Sequence, residues 1–123
     1  MASVETPLIA YIAGRMAGRP NHGYDDFVRA AAAGRKAGYL ILSPHEGAPT
    51  LEQIEQEEAR HPDLDFRDTT MYHEMMRRDI QLVLMSSVVF VLPEWYMSQG
   101  ATFEVELAKM VGIEVVDGAW LLD

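Results

Sequence analysis

The chain has no cysteine among its 123 residues, which excludes disulfides, thiolate metal sites and cysteine nucleophiles together. Histidine is scarce as well. His22, His45, His61 and His73 show none of the paired spacings that ligate a metal, so neither a metal nor any other cofactor is expected. Basic residues are outnumbered, 10 Lys and Arg against 19 Asp and Glu, leaving a formal net charge of −9. Such a chain repels the phosphates of long nucleic acid, which is therefore not an expected partner. No apolar run approaches the ~20 residues of a membrane-crossing helix, and the first seven residues lack a basic stretch followed by an apolar one. The expectation is a cytoplasmic protein with no membrane partner. Repeats and low-complexity linkers are missing too, and the length suits one domain over residues 1–123.

What is present alternates between short apolar runs and helical patterns. Residues 8–13 are continuously apolar and end at Gly14, as a strand buried on both faces does in a parallel sheet. The glycine-bearing loop that follows carries Arg15 and Arg19, the cations best placed to meet a small anion at the carboxyl end of a strand. A helix is predicted over residues 24–37, with Asp25 and Asp26 near its start, Arg35 and Lys36 near its end and Gly38 as its stop. Residues 39–42 form a second strand.

Residues 47–68 are acidic and polar. Thr50 with Gln53 forms a capping box for a short helix over residues 51–58, and the segment is either a solvated excursion or a lid over a ligand site. A third helix covers residues 70–85, a third strand residues 87–92, and a fourth strand residues 113–116 after a helix that Gly112 stops. Trp95, Tyr96 and Met97 either stack on a flat ring or plug the loop hydrophobically. Trp120, Leu121 and Leu122 add a fifth strand or dock on a neighbouring subunit.

Two acids break the helical patterning. Steps of three and four from Glu104 reach Ala101, Leu107, Ala108 and Val111, an apolar stripe, whereas Glu106 lies on a wet face. Glu104 is thus an inward carboxylate, which needs a partner or a task. Placed in the first turn, it would be held ionised by the helix dipole, as suits a nucleophile; alternatively it caps its own helix. Asp79 shares the apolar side of its helix with Tyr72, Met75, Met76 and Val83, and desolvation should raise its pKa. A structural ion pair with Arg15, Arg77 or Arg78 is the other reading of Asp79. Small and polar residues at the helix mouth, Ser98, Gly100 and Ala101, offer free N–H groups to an anion or a sugar hydroxyl.

Tyr11-Ile12-Ala13-Gly14, Arg77-Arg78-Asp79-Ile80 and Ser98-x-Gly100-x-x-x-Glu104 together resemble the nucleoside 2-deoxyribosyltransferase superfamily, closest to its small deoxyribosyltransferase-like proteins, over residues 8–116. The resemblance implies cleavage or transfer of the N-glycosidic bond of a nucleoside or nucleoside 5′-monophosphate. Glu104 would attack the anomeric carbon, Asp79 would protonate or hold the leaving base, and Tyr11 would orient the nucleophile. It also implies contact of Ser98 with a 5′-phosphate, and a homo-oligomer. With Gly14, Arg15, Arg19, Ser98 and Gly100 as substrate-binding candidates, the expected fold is a flavodoxin-like (Rossmann-like) three-layer α/β domain with a four- or five-stranded, mainly parallel sheet. Two other functions stay open: a non-catalytic nucleotide-sensing module, and hydrolysis of the glycosidic bond of NAD.

Overall fold

The computed structural model describes residues 7–16 and 18–123; the chain start on which the targeting expectation rests, residues 1–6, and Ala17 of the first loop lie outside them. Four strands, β1 (Ile9–Ala13), β2 (Leu40–Leu42), β3 (Val88–Val91) and β4 (Glu114–Asp117), make one sheet in the order β2-β1-β3-β4. Every pairing is parallel, with Tyr11 aligned to Leu42 on one side and to Val89 on the other. Parallel neighbours need crossovers, and the helices α1 (Tyr24–Lys36), α3 (Thr70–Leu84) and α4 (Gln99–Met110) supply them. The result is a flavodoxin-like three-layer α/β fold.

Alternation along β1 divides the interior into two cores. Ala10 and Ile12 pack with Phe27, Ala30 and Ala31 of α1, while Tyr11 and Ala13 pack with Val83 of α3 and Ala101, Val105 and Ala108 of α4. Close approach matters at Gly34 of α1, where an added Cβ would lie 2.5 Å from Ile41 Cδ1 of β2.

Two elements depart from expectation. Residues 119–122 are a 3₁₀ turn rather than a fifth strand, and Leu121, 2% exposed, enters the α1-side core. Arg29 of α1 donates to the Leu122 carbonyl at 2.6 Å. Leu121 is thus satisfied within its own chain, while Trp120 stays 43% exposed. The acidic segment contains α2 (Leu51–Arg60), whose capping box forms as the spacing predicts: Thr50 N–H donates to Gln53 Oε1 at 2.8 Å and Gln53 N–H to Thr50 Oγ1 at 3.1 Å. Its Ile54 is buried and Leu51 half-buried, so α2 is held against the body by these apolar side chains in a mostly polar helix. Among the described residues, no helix is long and apolar enough to cross a membrane.

Candidate functional site

Strand order reverses between β1 and β3, and in open parallel sheets the crevice beyond the strand ends at that point receives ligands. Here it holds a cavity of about 450 Å³. Gly14 after β1, Ser98 and Gly100 at the mouth of α4, and both Asp79 and Glu104 line it. The two inward acids therefore open onto one space.

Glu104 is 4% exposed, and the Tyr11 hydroxyl donates to its Oε2 at 2.9 Å. The β-strand sets this contact: Tyr11 points away from the α1 core, directly toward α4. Burial raises the Tyr11 pKa well above 10, with the Glu104 charge adding to it, so the phenol stays a proton donor. Asp79 is also buried, and its Oδ1 has no hydrogen-bond partner among the described residues. Arg78 Nη1 stands 3.7 Å from that oxygen, but the guanidinium is turned to the loop after β2, donating to the Pro44 carbonyl at 3.1 Å and to the Glu46 carbonyl. The ion-pair reading of Asp79 is met only at the length of a weak contact.

The charge states differ from those expected. Both acids move the same way: burial raises Asp79 to about 7 against the opposing pull of Arg78, and burial followed by the Asp79 charge raises Glu104 well above the ordinary range, although the Tyr11 hydrogen bond lowers it. The reason is position. Gln99 opens α4, which makes Glu104 its sixth residue, past the first turn where the helix dipole is felt. Nor does Glu104 cap the helix. Ser98 does, its Oγ accepting from Ala101 N–H at 3.1 Å, while Thr102 N–H bonds the Ser98 carbonyl at 2.9 Å. Of the expected anion cradle, Ala101 N–H is thereby occupied, and the N–H groups of Gln99 and Gly100 have no partner among the described residues. The stripe on α4 is also shifted, with Val105 buried and Val111 exposed.

Arg15 and Arg19 do not line the cavity. Arg15 Nη1 pairs with Glu94 at 3.3 Å, and Arg19 pairs with Asp26. Their loop is tightly folded: Asn21 and His22 take left-handed backbone angles, φ 51° and 52°, and a Cβ on Gly23 would meet the Arg15 carbonyl at 2.6 Å. His22 reaches the cavity wall. Of the aromatic loop after β3, Trp95 packs into the α4-side core as a plug, Tyr96 is exposed, and Met97 lines the cavity.

The acidic segment, weighed in the sequence as a lid, supplies cavity residues that were not singled out there. Ile54 and Glu58 of α2, then Asp65, Phe66 and Arg67, close one side of the cavity. Arg67 Nε and Nη2 donate to Asp65 at 3.1 and 2.7 Å, and Nη1 donates to Gln99 Oε1 at 2.6 Å, joining this wall to the start of α4. Ile54, one helical turn from Leu51 in a mostly polar helix, was the available signal. Arg67 had none. Among the described residues, no three acidic or histidine side chains gather as a metal cage.

A family model for a domain of unknown function, DUF4406, matches residues 8–117. No curated protein matches the sequence.

Proposed function

The chain belongs to the DUF4406 family, and from the chemistry of its cavity we propose that it cleaves or transfers the N-glycosidic bond of a nucleoside or nucleotide through a glycosyl-Glu104 intermediate. The observation that carries this reading is the Tyr11–Glu104 hydrogen bond at 2.9 Å, on the wall of a cavity that also holds the buried Asp79 carboxyl, whose Oδ1 accepts no hydrogen bond among the described residues.

In the first step a Glu104 oxygen forms a bond to C1′ as the C1′–N bond breaks. The bonding pair leaves with the base, which takes the Asp79 proton. Water, or a second base, then attacks C1′ and returns a proton to Asp79, releasing Glu104 as carboxylate. The step requires the negative charge on Glu104 and the proton on Asp79. Tyr11 favours that arrangement, because its O–H is donated to Glu104, while Asp79 Oδ1 has no hydrogen-bond donor among the described residues. Two influences bias the pair the other way: burial, which opposes the charge on Glu104, and Arg78, which favours the charge on Asp79 but only across 3.7 Å and without a hydrogen bond to it. Positive charge developing at C1′ stabilises the Glu104 anion beside it.

Homo-oligomer formation belongs to the same reading and rests on the resemblance and on the exposed Trp120. The test is base release. With a panel of deoxynucleosides and deoxynucleoside monophosphates followed by chromatography, Glu104→Ala should lose roughly 10³-fold or more of the wild-type rate. Undiminished release would remove Glu104 from the chemistry.

A further inference from the structure

Helix α3 serves as a ruler across the cavity. Asp79 marks one end, and Tyr72, two helical turns or roughly 10 Å away, marks the other. At that second end the Tyr72 hydroxyl would lie 3.5 Å from a Cβ on Gly100, and Arg67 reaches Gln99. A nucleoside whose base leaves toward Asp79, with C1′ over Glu104, therefore extends its 5′ end toward Arg67 and the start of α4.

Among the described residues, Arg67 is the only lysine or arginine on the cavity wall, which also carries the carboxyl groups of Glu58, Asp65, Asp79 and Glu104. Its guanidinium is already engaged. Nε and Nη2, the fork that grips a phosphate two oxygens at a time, are taken by the two carboxylate oxygens of Asp65, and Nη1 is taken by Gln99. Asp65 is fixed there by its own backbone turn, its Oδ1 accepting from Arg67 N–H at 2.9 Å.

We infer that Asp65 selects substrates by occupying the Arg67 fork as an internal substitute for phosphate, so that the cavity takes free nucleosides in preference to their 5′-monophosphates. This rests on the glycosidic-bond reading above and names its substrate class. A 5′-phosphate arriving at this end meets an arginine whose charge is already matched, on a wall rich in carboxyls. A 5′-hydroxyl needs no cation, and the open N–H groups of Gln99 and Gly100 suffice to bond it.

Asp65→Asn tests the inference, because asparagine keeps the oxygen that caps the turn and removes the charge. The residue is exposed, so the fold should survive, as circular dichroism would verify. Calorimetry compares Kd for a deoxynucleoside and its 5′-monophosphate, with base release measured in parallel. The wild type should bind the nucleoside more tightly, and Asp65→Asn should move the Kd ratio toward the monophosphate by roughly tenfold, a gain abolished by adding Arg67→Gln. A wild type that prefers the monophosphate, a ratio unmoved by Asp65→Asn, or no binding of either ligand overturns the inference. Preference for the monophosphate with base release intact leaves the glycosidase reading standing. The expected binding ratios with no base release do the reverse.

Discussion

Tyr11 contributes to the site through a single atom. Replacing it with Phe keeps the ring in the core and removes the donor to Glu104, so base release should fall about 10–100-fold with little change in melting temperature. An unchanged rate would make the hydrogen bond structural. Asp79 and Glu104 were legible in the sequence for one physical reason: helical periodicity places side chains on faces, and an acid on an apolar face stands out, whereas Tyr11, inside a continuous apolar run, was marked only by the family resemblance. The ionisation of Glu104 was not legible, because it turned on whether α4 begins at Gln99 or a few residues later. Arg67 was hidden for the opposite reason. In a segment of alternating charges every residue resembles a solvated one, and only the folded path of the chain brings Arg67 back against Gln99.

The secondary elements were readable almost to their ends, since turn residues, caps and apolar runs mark them locally. What local pattern left ambiguous was the destination of amphipathic pieces. Residues 119–122 hold Trp, Leu and Leu, and nothing in that run distinguishes an edge strand, a subunit contact and a plug against α1. The structure makes it a plug, with the Trp120 ring meeting Phe90 edge-on at 5.5 Å. Leu121→Ala should therefore cost about 2–5 kcal/mol in denaturant unfolding, and the loss should not depend on protein concentration because the contact lies within one chain. A concentration-dependent loss would return the tail to an interface. The same ambiguity held for α2, where Ile54 anchors a charged helix as the near wall of the cavity.

For the protein as a unit, burying two acids in one cavity couples stability to pH. Asp79 rises from 3.8 to about 7 on folding, so between those values the folded chain keeps a proton that the unfolded chain has released. Stability from this group is fully present below about pH 4 and is lost as pH rises through about 7, by up to about 4 kcal/mol at ~1.4 kcal/mol per unit. Glu104 acts in the same direction. Glu46 and Asp65, held low by hydrogen bonds from Arg35 and Arg67, act oppositely but at more acid pH. The difference between wild type and Asp79→Asn isolates the effect: the variant should be the more stable at pH 8, with the advantage vanishing toward pH 4. Equal unfolding curves for the two proteins at pH 8 would contradict the burial of an ionisable carboxyl there.

Topology adds a constraint in time. The two side chains of the central hydrogen bond are 93 positions apart, and β1 needs β3, far downstream, to complete its second edge. A chain leaving the ribosome in order carries its phenol long before the acid that it serves has been made. Cuts that leave residues 7–98 without α4 should yield a fragment with helices but without Glu104, so the cavity that holds both acids is complete only when synthesis is nearly finished.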